Sequence, residues 1–171
     1  MSTVLSLWPG ERIYACDCGI PPNAQAAVDE SSAAFTGKVI QMKQDRSEGE
    51  DVVLLEVTQA WKGVTDSQVI VRTTWSSCQF EFEQGREYLL YPYTKKDELY
   101  VINCGRSAEI SQASLDLEQL GTGTTPTNKV SLEDDFRPLW LRGLLISIPL
   151  LLLAGLLLLG YSRLMARRKR R

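Results

Sequence analysis

Four cysteines and no histidine define the chemistry open to this chain of 171 residues. Cys16 and Cys18 stand one residue apart in RIYACDCGIPP, just before the paired prolines Pro21 and Pro22, whereas Cys78 and Cys104 are isolated from each other by 26 positions. Zinc is one outlet for such a set, but structural zinc sites usually bring ligands in closely spaced pairs with two or more residues between them, or with histidine. The disulfide suits an even count better. In an extended segment alternate side chains point the same way, with Cα atoms about 6 to 7 Å apart, so a bridge from Cys16 to Cys18 would close a small, strained ring. Two connectivities are left, and each ties both early cysteines to distant ones. A crosslink spanning Cys16 to Cys78 contributes about 4 kcal/mol on the loop-entropy account. Such bonds persist in an oxidising compartment.

Catalysis finds little support. Without histidine there is no Ser-His or Cys-His pair, and the carboxylates gather in DRSEGED, EFEQ and LEDD, where solvated turns explain them. There is no glycine-rich phosphate loop in the sequence. The expectation is a chain that is not an enzyme and carries no cofactor.

The elements that must position the cysteines read mostly as strands. AAFTGKVIQMK runs into a polar turn, and DVVLLEVTQAWKG then sets Val53, Leu55, Val57 and Trp61 on one face with Glu56, Thr58 and Lys62 on the other. SQVIVRTTW, REYLLYPY and ELYVINC supply three more strands, the last two separated by TKKD. Two helices are expected, in NAQAAVDESS and in SQASLDLEQL, the second stopped by Gly121. Five strands and two short helices predict a small, mainly β barrel with helices at its ends. An immunoglobulin-like sandwich competes but needs about seven strands.

The stretch 143–161, GLLISIPLLLLAGLLLLGY, carries no charge over 19 residues. At about 1.5 Å per residue it approaches the thickness of a bilayer's hydrocarbon layer. A single transmembrane helix is therefore expected over 139–162. Six basic residues follow, Arg163 and then the run Arg167, Arg168, Lys169, Arg170 and Arg171, while SLEDDF upstream is acidic. The positive-inside rule makes this run a topology anchor in the cytoplasm, with the N-terminal domain outside the cell membrane. The chain before Arg142 has 12 basic and 21 acidic residues, a net charge of −9. So acidic a domain is a poor partner for nucleic acid. Residues 1–15 have only the short apolar run VLSLW and are read as the remnant of, or the region after, a signal segment.

Several of these features together resemble a known family. CDCGIPP with a short helix after it, the strand AAFTGKVI, the lone cysteine of SSCQF, the strand GREYLLY and the cysteine of YVINC are similar to the N-terminal domain of the tissue inhibitors of metalloproteinases. That domain belongs to the netrin-like group, a five-stranded barrel of the oligonucleotide/oligosaccharide-binding (OB) type. The likeness covers 16–121 and leaves 122–138 as a polar linker. It implies disulfides Cys16 to Cys78 and Cys18 to Cys104, which staple an N-terminal ridge to the barrel. It further implies that Cys16, Asp17 and Cys18 could form a protease-contacting ridge. There, a mature N-terminal Cys16 would chelate a partner's catalytic zinc through its α-amine, whose pKa of about 8 leaves an appreciable neutral fraction at physiological pH. Asp17 stands where the family favours a small neutral side chain, and burying its carboxylate unpaired in an apolar pocket would be costly. The expected function is therefore protein binding by a membrane-anchored, extracytoplasmic domain, with inhibition of a zinc metalloprotease as the alternative.

Overall fold

The computed structural model describes Cys16 and residues 18–136. The expected signal region, Asp17, the span at 139–162 and the basic tail lie outside these residues. Among the described residues no helix is long and apolar enough to cross a membrane. The chain divides into two units, Met1–Leu132 and Glu133–Arg171, and the described part of the second contains a 3-10 turn, Glu133–Phe136.

The first unit is mainly β. Helix α1 (Ala24–Glu30) begins where the Asn23 side chain accepts a hydrogen bond from the Ala26 N–H at 2.8 Å, and it buries Ala24, Ala27 and Val28 at helical spacing. Seven strands follow in one sheet: β1 (Ala34–Asp45), β2 (Glu50–Lys62), β3 (Gln68–Thr74), β4 (Glu87–Leu90), β5 (Tyr93–Lys95), β6 (Glu98–Tyr100) and β7 (Ala108–Glu109). Helix α2 (Ser114–Leu120) ends at Gly121, whose φ of 64° gives the expected stop.

The order across the sheet is β5-β6-β3-β2-β1-β4-β7. The long strands β1, β2 and β3 form an antiparallel meander, and three register shifts between β1 and β2 bend it into a curled half-barrel. Seven strands replace the expected five for two physical reasons. REYLLYPY breaks at Pro92, which lacks a ladder N–H; its first half pairs with β1 and its continuation, β5, with β6. Strand β7 is two residues long, too short to show an alternation in the sequence.

Phe35, Val39, Val53, Leu55, Val71, Leu90 and Val101 fill the hollow of the curl. Phe80, Phe82 and Tyr88 complete it with ring centroids 4.7 to 5.7 Å apart. Val53, Leu55 and Val57 are buried as the alternation predicts, but Val52 and Leu54 on the opposite face are buried too. Trp61 is half-buried, with its Nε1 donating to the Gly121 carbonyl at 3.1 Å.

Its neighbours in WKG join this strand to α1. The Lys62 ammonium donates to the carbonyls of Val28, Asp29 and Ser31 at 2.7 to 3.1 Å, capping the negative end of the helix. Gly63 (φ 72°) then passes so close to the 32–33 backbone that an added Cβ would lie 2.5 Å from the Ser32 carbonyl oxygen. Gly85 has a similar φ of 84° but open space around it. Gly63→Ala is expected to lower the denaturant midpoint well beyond Gly85→Ala, which carries only the left-handed penalty of about 1 to 2 kcal/mol. Equal losses in the two variants, measured by urea unfolding, would refute the close approach.

Candidate functional site

The described sulfur chemistry gathers at one end of the sheet because β3 and β6 run parallel. Val71 pairs with Leu99 and Arg72 with Tyr100, so the chain leaves both strands at the same end. Cys78 follows the last residue of β3 by four positions, and Cys104 follows that of β6 by four. The ladder is short, and side chains reinforce it. The Tyr100 hydroxyl donates to Glu50 Oε2 at 3.1 Å, and Arg72 reaches Glu98 at 2.6 Å and Glu50 at 3.6 Å. Glu50 belongs to β2, so this group clamps β2, β3 and β6 together. Burial, with the Glu50 carboxylate beside it, pushes the Tyr100 phenol up to about 12.

Beyond the strands, the two loops are held to each other and to the sheet. The Asn103 N–H donates to the Cys78 carbonyl at 2.8 Å, and Gln79 forms a bridge with Ile102. The Asp51 carboxylate accepts from Trp75 Nε1 at 2.9 Å and from Gln79 Nε2 at 2.8 Å, and Thr73 Oγ1 accepts from the Phe80 N–H. On this base, Cys16 is bonded to Cys78 and Cys18 to Cys104, with Cα atoms 5.6 and 4.9 Å apart, ordinary spans for disulfides. No cysteine is free. This is the same pairing that the family resemblance implies.

Past the ridge, Arg106 secures the way into α1. Its guanidinium forks onto the buried Asp116 of α2, with Nε to Oδ2 at 2.9 Å and Nη2 against Oδ1, while Nη1 donates to the Pro21 carbonyl at 3.3 Å. The Tyr91 hydroxyl donates to Asp116 Oδ2 at 3.1 Å, and burial together with that carboxylate pushes its phenol far above the ordinary value. The hydrogen bond to Asp116 likewise raises the hold of Arg106 on its proton. Arg106, Asp116, Tyr91 and Asp51 carry no spacing signal in the sequence. Only the position of Arg106, two residues past a cysteine, hints at its role.

Large apolar side chains close in sequence to the crosslinked cysteines are exposed. Ile20 is 64% exposed two residues after Cys18, and Trp75 is 42% exposed three before Cys78. Beside the Cys78 loop lies a polar groove of about 530 Å³ whose walls include Glu81, Glu83, Glu109 and Asn103. The sulfurs of Cys16, Cys18 and Cys104 lie within 4.8 Å of one another, but in disulfide form they offer no thiolate to a metal.

The segment expected as a linker is bonded to the domain over much of its length. Thr124 exchanges backbone hydrogen bonds with Ala60 at 2.8 and 2.9 Å, the Ser67 N–H donates to Asn128, and the Leu132 N–H donates to Gln68 Oε1 at 2.7 Å. The strap thus ends beside the first residue of β3. The crosslinked loops lie past the other end, about 20 Å along a strand of this length. No protein-family model matches the chain, and no curated protein matches it.

The β2-β3-β6 clamp gives a pH signature. Tyr100 ionises near 10 when unfolded and near 12 when folded, so its contribution is complete below pH 10 and is lost as pH rises towards 12. Tyr100→Phe is expected to cost about 1 kcal/mol at neutral pH by taking a donor from buried Glu50. Its stability should then fall less steeply than that of the natural chain between pH 10 and 12. Parallel declines, followed by chemical denaturation, would contradict the clamp.

Proposed function

We propose that the chain is a membrane-anchored, extracytoplasmic protein-binding module whose head is a netrin-like barrel of the OB type. Several observations support the fold reading. Taking β4 and β5 as one strand bent at Pro92, and setting aside the two-residue β7, leaves five strands. They comprise a β1-β2-β3 meander, a parallel β3-β6 pair, and a bent strand that touches both β6 and β1. That is the connectivity an OB-type barrel requires, and the two crosslinks follow the family's pattern.

One observation carries the binding reading: the segment from Cys16 is held by two covalent bonds to paired loops at the end of the sheet away from where the chain departs at Leu132. Two covalent bonds hold this end in place in the free protein. Its ordering entropy is already met in the free protein, which favours binding by a preformed surface. Exposed Ile20 and Trp75 supply apolar anchors, and the acidic groove beside the Cys78 loop favours a partner with a basic rim.

The test is site-specific photocrosslinking in cells that carry the full chain, with the reactive residue at position 20 or at position 115. Ile20 and Leu115 are similarly exposed, at 64% and 69%, but only Ile20 adjoins the ridge. A discrete protein adduct from position 20 and not from 115 is expected. Adducts from neither, or equally from both, would refute a binding end at the ridge. N-terminal sequencing of the mature chain decides the inhibitor alternative, since any residue left before Cys16 removes the chelating amine.

A further inference from the structure

We propose that this end of the domain, once both disulfides are reduced, is a four-cysteine site for a soft divalent ion of the zinc class. The inference goes beyond the binding reading and does not depend on it. In the sequence, Cys78 and Cys104 are lone cysteines, which counts against zinc. The fold removes that objection, because the parallel strands deliver both to the same place. The Asn103 to Cys78 hydrogen bond and the Gln79 to Ile102 bridge hold their loops side by side without any help from sulfur. The sulfurs of Cys16, Cys18 and Cys104 lie within 4.8 Å of one another, and Cys78 is bonded to Cys16.

Thiolates around a tetrahedral zinc, at about 2.3 Å from the metal, stand about 3.8 Å from each other. Relaxing each sulfur pair from the bonded distance of about 2 Å to that spacing needs side-chain rotation, with the backbone pairing of the loops intact. All four cysteines are half-buried, so a reductant and an ion can reach them. In the chemical step a dithiol exchanges with each bridge and is oxidised to its own disulfide. Two electrons and two protons pass to the protein per bridge, leaving four thiols. Binding one divalent ion then converts the four thiols to thiolates and releases four protons, so affinity rises with pH.

The experiment reduces the full chain with a dithiol, removes the reductant without oxygen, and titrates the protein with Co2+ and then Zn2+. One Co2+ per chain is expected, with the visible bands of a tetrahedral cobalt thiolate, displaced by one equivalent of Zn2+. Cys104→Ser should weaken binding by roughly tenfold or more and alter those bands, because it removes one ligand of four. Should reduction unfold the chain, recovery of its native circular dichroism on adding Zn2+ counts for the site, since binding and folding are then one event. Three results overturn it: no stoichiometric Co2+ uptake, a spectrum indifferent to Cys104→Ser, or a reduced chain that stays unfolded with Zn2+.

Discussion

The parallel pairing of β3 with β6 is the constraint on which the rest of this architecture depends. Antiparallel neighbours would send the chain out at opposite ends, and Cys78 and Cys104 would lie a strand length apart. Because both strands run the same way, two loops of equal reach emerge together, pair through backbone hydrogen bonds, and present their cysteines to one short N-terminal segment. Two residues per strand are a small ladder on which to hang this arrangement. The buried Glu50, with Tyr100 and Arg72 around it, supplies what the backbone lacks. A charged group is kept inside there because its partners come from two other strands.

The same logic explains how so short a domain orders its irregular segments. A compact unit of this size has limited apolar area to set against the entropy of its loops. The chain answers with specific ties in place of further core. Lys62 holds the end of α1 and Arg106 holds Asp116 of α2 to Pro21. Thr124, Asn128 and Ser67 zip the strap along the edge of β2 and β3. These ties involve backbone carbonyls or buried carboxylates, where an unmet group would be expensive. The exposed pairs of Arg86 with Glu83 and Glu109 belong to a different class, in which water competes for both partners.

How far the sequence discloses this follows from the range of the interactions concerned. The alternation in VVLLEV, the capping Asn23 and the stop at Gly121 are local signals, and the helices and long strands lie where those signals put them. The burial of Val52 and Leu54 was not legible, since whether a strand's second face is covered is a tertiary matter. The polar segment 122–138 reads as a tether because composition records polarity and not its use; within it Thr124 and Asn128 use theirs to pair with the sheet. Asp51 and Asp116 look like surface carboxylates in the sequence. Their partners lie 24 and 10 positions away, respectively, beyond any short-range pattern. The cysteine pairing came into view only through the family resemblance, as spacing alone left two connectivities open.

The decisive measurement is peptide mapping of the full chain, alkylated on isolation and digested without reduction. Crosslinked peptides joining Cys16 to Cys78 and Cys18 to Cys104, with no alkylated cysteine, are the predicted result. The exchanged pairs, Cys16 with Cys104 and Cys18 with Cys78, or four alkylated thiols, would contradict the covalent frame on which the proposed recognition end is built.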